Sequence, residues 1–240
     1  MPYRSIRKSI ILLSGGLDST VAFKKALDET DLVLAITFDY GQRAAEKERT
    51  SSSSICSRYG VRHEVVELSW LTAITTTALV DRKQSLPGLE SAQLDGEGGA
   101  TYESARKVWV PNRNGVFINI AAAYAESLGA DIVVTGFNIE EAATFPDNSP
   151  QFIAAINGAL SFSTLNKVQL ISPTSGLNKA EIVALGQEIN APLDLLWSCY
   201  EGGERMCGLC ESCMRLKRAL EDRGGDLLDR LFLNSRGETG

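Results

Sequence analysis

Apolar residues along this chain fall into short continuous runs separated by longer stripes of helical spacing, and their order predicts the layout. The runs at residues 10–13, 31–38, 63–68, 131–135 and 168–171 are four to eight residues long. They read as strands, most of them buried on both faces. Between them lie helical stretches: one from Thr20-Val21-Ala22-Phe23, a polar one carrying Ala44, Ala45, Ile55 and Cys56, and an Ala-rich one over residues 115–128 closed by Gly129. A fourth opens at Ser149-Pro150, a capping residue followed by proline, and a fifth covers residues 179–189. Strict alternation of strand and helix predicts an α/β fold with a doubly wound, parallel, five-stranded sheet that binds ligands at the carboxyl ends of its strands. From residue 80 to 107 the periodicity fades, and Gly88, Gly96, Gly98 and Gly99 mark a long irregular connection. The four serines at 51–54 read as solvated helix surface.

Chemistry enters at the end of the first run. Ser14-Gly15-Gly16-Leu17-Asp18-Ser19 joins a buried strand to a helix start, so several backbone N–H groups and the positive end of a helix dipole converge there. Two glycines allow close approach of oxyanions, Ser14, Ser19 and Thr20 add hydroxyls, and Asp18 is suited to cap the helix or to hold magnesium. A purely conformational turn also uses Gly-Gly and a capping residue, but it has no need of hydroxyls on both sides plus a carboxylate. The lysine of a Walker loop is missing, which suits a loop that grips a pyrophosphate leaving as a unit. The hexapeptide resembles the PP-loop, S-G-G-x-D-S, of ATP pyrophosphatases that adenylate a substrate oxygen.

Charge and length narrow the partners. The chain has 240 residues, a net charge of −6 and a pI near 5.0, which argues against nucleic-acid binding and for small-molecule substrates. No apolar stretch approaches the roughly 20 residues that span a bilayer, so no membrane partner is expected and a cytoplasmic location is. The length suits one α/β domain over residues 1–192 with a small C-terminal subdomain over 193–240, and leaves no room for a fused glutaminase. Nitrogen, if the reaction needs it, must arrive as free ammonia or from a partner.

Cys199, Cys207, Cys210 and Cys213 follow the spacing C-x7-C-x2-C-x2-C, with Gly208 in the turn between two of them. Four thiolates so spaced close a tetrahedral shell around a structural zinc ion. An iron–sulfur cluster or disulfides are the alternatives. Cys56 reads as a core residue, and His63, the single histidine, as an ordinary strand residue.

The blocks Phe38-Asp-Tyr-Gly-Gln-Arg43, Val110-Pro-Asn-Arg-Asn114, Thr135-Gly-Phe-Asn138, Pro146-Asp147 and Ser198-Cys-Tyr, with the later cysteines, resemble the 7-cyano-7-deazaguanine synthase family. They occur in the family's order from about residue 10 to 220. The resemblance implies an ATP-dependent carbon–nitrogen ligase that turns 7-carboxy-7-deazaguanine and ammonia into the nitrile preQ0, a precursor of queuosine and archaeosine, through an adenylated carboxylate and an amide. It implies structural Zn2+, Mg2+, ATP as co-substrate and a homodimer. Carried onto this chain, it places catalysis on Asp18, Ser19, Arg113 and Lys179. Nucleotide binding falls to Leu13, Ser14, Gly15, Gly16, Leu17, Asp18, Ser19, Thr20, Val21, Phe38 and Gly136. Substrate binding falls to Tyr40, Gln42, Arg43, Arg113, Asn114 and Asp147: the arginines pair with carboxylate or phosphate, Tyr40 stacks on a ring, and Asp147 accepts from a guanine-like edge. Two positions depart from the family pattern, since Ser149 stands for an expected arginine and Ala44 for a histidine. Two other functions fit the loop: a PP-loop enzyme that adenylates another small carboxylate or a tRNA base, and a noncatalytic nucleotide-binding partner.

Overall fold

The computed structural model describes residues 6–87, 105–221 and 224–232. Its centre is a five-stranded sheet of β1 (Lys8–Leu12), β2 (Asp31–Asp39), β3 (His63–Glu67), β4 (Ile132–Val134) and β5 (Gln169–Ile171), every pair parallel, in the order β3-β2-β1-β4-β5. β1 lies in the middle, with Ile11 opposite both Ala35 and Val134. The order reverses direction at β1, so the loops after β1 and β4 face the crevice where doubly wound sheets bind ligands.

Successive strand residues point to opposite faces, and the helices divide accordingly. Ile11 and Ala35 pack with α1 (Leu17–Glu29) through Ala22, Phe23 and Ala26, and with α2 (Ala45–Tyr59) through Ile55 and Cys56. Their neighbours Ile10 and Leu34 pack on the other face, against Ile118, Ala121 and Ala125 of α4 (Arg113–Leu128) and Leu160 of α6 (Pro150–Ser163). Short helices α3 (Ser69–Ile74) and α5 (Ile139–Ala142) sit near the carboxyl edge, followed by α7 (Lys179–Glu188), α8 (Glu211–Leu220) and α9 (Leu227–Leu231). The five strands and the helices foreseen between them are therefore present, with ends moved by one or two residues. Gly129 closes α4 with φ of +63°, and Ser149 caps α6 by accepting from Phe152 N–H at 3.1 Å.

Two sequence expectations change. Ser51 and Ser52 are buried rather than solvated: Ser52 Oγ donates to Leu13 O at 3.0 Å and Ser51 Oγ to Leu195 O at 2.7 Å. Their hydroxyls satisfy carbonyls at the end of β1 and before the cysteine segment, so small polar residues are what this interface needs. The helix after the cysteines, α8, ends at Leu220, with Asp222 and most of the irregular 80–107 connection outside the described residues. The C-terminal residues share a core with the main body, because Leu17, Val21, Ile182 and Val183 pack with Leu193, Leu196, Cys199, Cys213, Leu216 and Phe232.

Candidate active site

Both the Ser14–Ser19 loop and the end of β2 open into one cavity of about 290 Å³ at the carboxyl edge of the sheet. Gly15, at φ +77°, makes the turn, and a Cβ there would stand 2.3 Å from Ser51 Oγ. Its carbonyl accepts from Trp197 N–H at 2.7 Å, which ties the loop to the cysteine segment. The first N–H groups of α1 are only loosely held: Gly16 N–H reaches Ser14 Oγ, and Leu17 N–H reaches Ser198 Oγ, each at 3.4 Å. Such long contacts leave donors that an anion can take over at a helix N-terminus.

Asp18 does not cap α1. Gly16 is the N-cap residue, and Asp18, in the first turn, instead pairs with Lys179 Nζ at 2.6 Å. Lys179 opens α7 and also reaches Glu141 of α5 at 2.7 Å, so one ammonium bridges two carboxylates across the cavity. Burial lifts the Asp18 carboxyl to about 6 although Lys179 draws it down, while Glu141, despite the same desolvation, is held below its usual range by Lys179. Lys179 itself stays charged, since burial is outweighed by its two carboxylates. Asp18 Oδ1 is buried with no partner among the described residues, which suits it to a cation or a ligand hydroxyl. Gly136 approaches this point so closely that a Cβ would stand 2.6 Å from Asp18 C and Ser19 N.

The far wall is aromatic. Phe38 and Phe117 stack at 4.1 Å, and Tyr40 packs tilted against Phe117. Tyr40 Oη accepts from Arg113 Nη1 at 3.3 Å, and Arg113 remains firmly charged although burial opposes it, through Tyr40 and Asp147. Gln42 is fully engaged: Nε2 donates to Phe38 O at 3.0 Å and Glu48 Oε2 at 2.9 Å, while Oε1 accepts from Tyr40 N–H at 2.9 Å. Asn114 lines the cavity and donates to Asp147 O at 3.3 Å.

Among the residues foreseen from sequence, Leu13, Ser14, Gly16, Leu17, Asp18, Ser19, Phe38, Tyr40, Gln42, Arg113, Asn114, Gly136 and Lys179 line this one cavity. Thr20 and Val21 point into the core instead, being the next helix positions inward. Asp147 is not among the residues that line the cavity, Asn148 standing there instead, but its carboxylate faces Arg113. Arg43 is the clearest displacement. It faces a separate open cleft, pairs with Glu201 at 3.2 Å and donates to the carbonyls of Asp81 and Gln84, so its fork clamps loops together. The structure adds cavity residues that sequence reasoning did not assign, notably Glu48, Glu141, Thr135, Tyr200, Glu211 and Arg215. Glu48 had a signal: it precedes Ser51, Ser52 and Ile55 by three, four and seven residues, the stripe that α2 buries.

The Sγ atoms of Cys199, Cys207, Cys210 and Cys213 lie within 4.8 Å of one another. Cys199 Sγ accepts from Glu201 N–H at 3.3 Å and Cys207 N–H at 3.4 Å, and Cys207 Sγ accepts from Leu209 and Cys210 N–H, each at 3.4 Å. Convergent N–H groups on crowded sulfurs favour thiolates, so the group is able to hold a metal ion. Gly208, at φ +70°, leaves the room that Lys217 Nζ fills. Cys56, by contrast, is buried in the core, and burial pushes its thiol up to about 12. His63 begins β3 and shares a hydrogen bond with Thr37 Oγ1 at 2.8 Å. Among the described residues no helix is long and apolar enough to cross a membrane.

Comparison with known proteins bears on the whole of this arrangement. The 7-cyano-7-deazaguanine synthase of Pelotomaculum thermopropionicum is 56% identical over 217 residues, covering 90% of this chain and 98% of that protein. The 7-cyano-7-deazaguanine synthase of Carboxydothermus hydrogenoformans is 55% identical, covering 92% and 100%, and that of the archaeon Methanosarcina mazei is 47% identical, covering 93% and 99%. The family model for queuosine biosynthesis protein QueC matches residues 8–224, from the first strand through the loop and the four cysteines, and the chain belongs to that family.

Proposed function

We propose that this protein is an ATP-dependent ligase that converts 7-carboxy-7-deazaguanine and ammonia to 7-cyano-7-deazaguanine. The observation that carries the reading is the convergence, in one cavity, of an anion-binding helix start, the Asp18–Lys179–Glu141 bridge and an aromatic wall with Arg113 beside it, in a chain whose relatives carry that synthase name over nearly their full length.

A carboxylate resists attack by ammonia because its charge repels the nucleophile and no good leaving group is present, so its oxygen must first be bonded to AMP. In this reading the loosely held N–H groups of Gly16 and Leu17, with the Ser14 and Ser19 hydroxyls, receive the departing pyrophosphate. Lys179 supplies fixed positive charge beside the reacting phosphate. Arg113, half-buried and oriented by Tyr40, pairs with the acid, whose planar ring lies along Phe38 and Phe117. Asp18 is the residue that would hold Mg2+, through its unpartnered Oδ1, and the ion would neutralise pyrophosphate charge. The four cysteines would hold Zn2+ in a closed shell that fixes Trp197–Tyr200 and α8 against the loop. Ammonia gives the amide, and a second adenylation, at the amide oxygen, makes it leave so that the nitrile forms in the same cavity. The homodimer and the cytoplasmic location that go with this reading are supported by the exposed apolar Phe162 and Leu165 and by the absence, among described helices, of a membrane span.

The test is incubation of the purified protein with 7-carboxy-7-deazaguanine, magnesium ATP and ammonium, following bases and nucleotides by mass spectrometry. Amide followed by nitrile is expected. A folded, ATP-binding sample that leaves the acid untouched would overturn the assignment and favour another carboxylate, a tRNA base or a noncatalytic role.

A further inference from the structure

Among the described residues four carboxyl groups line the cavity, and three of them are held in ion pairs. Asp18 and Glu141 share Lys179, and Glu211 is bound by Arg215 at 3.0 Å. Glu48 is the fourth. Among the described residues it makes no ion pair, and its partner is the neutral amide of Gln42, 2.9 Å from Oε2. That amide cannot swing away, because its other hydrogen is taken by Phe38 O and its oxygen by Tyr40 N–H. Oε2 is thus pinned from behind while Oε1 has no protein hydrogen bond among the described residues.

The carboxyl lines the cavity beside Arg113 and Tyr40, the side that receives the acid in the ligase reading. Glu48 lies in the first turn of α2, whose backbone packs against the phosphate loop: the Glu48 main-chain carbonyl oxygen is 3.5 Å from where a Cβ on Gly15 would be. An ion pair with lysine or arginine lowers the basicity of a carboxylate and occupies its oxygen, whereas Glu48 has an amide as its hydrogen-bond partner and leaves Oε1 to accept. The charged and titratable groups facing Glu48 are Arg113 from α4, Asp39 at the end of β2 and the Tyr40 hydroxyl. Burial raises its carboxyl from 4.5 to about 7, with Gln42 and Arg113 opposing and Asp39 adding.

We propose that Glu48 is the general base that takes the proton from the nitrogen nucleophile. The step rests on the ligase reading above. The lone pair of ammonia forms the C–N bond to the acyl carbon of the adenylate, the C–O bond to AMP breaks, and AMP leaves with that electron pair. One N–H proton passes to Glu48 Oε1 and from there to solvent, so the amide forms neutral and the carboxylate is regenerated.

Adenylation precedes this step and needs no such base, which makes the claim separable. The experiment compares wild type with Glu48→Gln, which preserves shape and a bond to Gln42, in three assays: acid-dependent ATP–pyrophosphate exchange, amide formation with ammonium, and hydroxamate formation with hydroxylamine. Hydroxylamine is a stronger nucleophile that is largely neutral at pH 7, so it bypasses the base. Expected are exchange and hydroxamate formation near wild-type rates, amide formation reduced on the order of 10²–10⁴-fold, and loss of the acid limb near pH 7. Glu48→Asp should recover part of the rate with a shifted limb, a result that misfolding would not give. Amide formation by Glu48→Gln at the wild-type rate and pH profile overturns the proposal. Equal loss of exchange and amide formation also overturns it, by placing Glu48 in substrate binding. If wild type itself shows neither exchange nor hydroxamate, the ligase reading fails, a pattern distinct from either of these.

Discussion

Replacing Gly136 by alanine tests whether the carboxyl edge is as tightly built as the distances say. The added Cβ would meet backbone, at 2.6 Å from Asp18 C and Ser19 N and 2.8 Å from Asp18 O, where ordinary contact begins at 3.4 Å. The flanking residues of Gly136 are anchored, Thr135 N–H to Ile171 O and Phe137 N–H to Ser172 Oγ, each at 2.9 Å. The strain therefore falls on the first turn of α1, and the loop shifts by several tenths of an ångström. Overpacking of this kind costs about 1–3 kcal/mol, and for a chain of this size each kcal/mol lowers Tm by about 2–4 °C. The functional loss should be larger than the stability loss suggests, since a 1 Å misplacement at a reacting centre costs on the order of 10²-fold in rate. Thermal denaturation and acid-dependent pyrophosphate release measure the two effects. Gly158→Ala is the control: among the described residues nothing beyond its own helix backbone lies within 4 Å of the new Cβ in the interior of α6, and the variant should gain stability through helix propensity. If Gly136→Ala keeps wild-type Tm and turnover, the close packing of β4 on α1 does not constrain the site.

Three further outcomes follow from the same geometry. Cys210→Ser should lose bound zinc, measured by elemental analysis, and lower Tm sharply, because metal binding energy at such a site is folding energy; an unchanged Tm would refute a structural metal. Asp18→Asn should fold, since Lys179 keeps Glu141 as a partner, yet release no pyrophosphate; retained turnover would remove Asp18 from the mechanism. For Glu48 the folded carboxyl titrates near 7 and the unfolded one near 4.5, so between these values the folded state binds more protons and wild-type stability declines as pH rises. Urea midpoints for Glu48→Gln should exceed wild type at pH 8, with the advantage disappearing at pH 5; parallel curves would show that burial does not perturb this carboxyl.

Much of the site was visible in the chain because strand-to-helix turns encode their chemistry locally. Ser14–Ser19 carries its glycines, hydroxyls and carboxylate in six consecutive residues, and four cysteines within fifteen residues can converge by local turns alone. Roles that depend on partners were not visible. Asp18 at the start of a helix is as good a cap as a ligand until Lys179, 161 residues away, is seen to claim it. Arg43 sits in a family-like block, yet its guanidinium turns toward Glu201 and the carbonyls of Asp81 and Gln84. Ser51 and Ser52 look solvated by composition and are buried because two carbonyls need donors.

By itself the sequence determined the parallel α/β layout, the anion-binding turn and the cysteine cluster, since each rests on periodicity or on spacing within one turn of chain. Only the tertiary structure decided which carboxyl groups are ion-paired and which is held by an amide alone, because that depends on cations brought from elements far apart in sequence. Glu48 is one acidic residue among thirty in the chain until the fold gives Lys179 and Arg215 to the other three in its cavity.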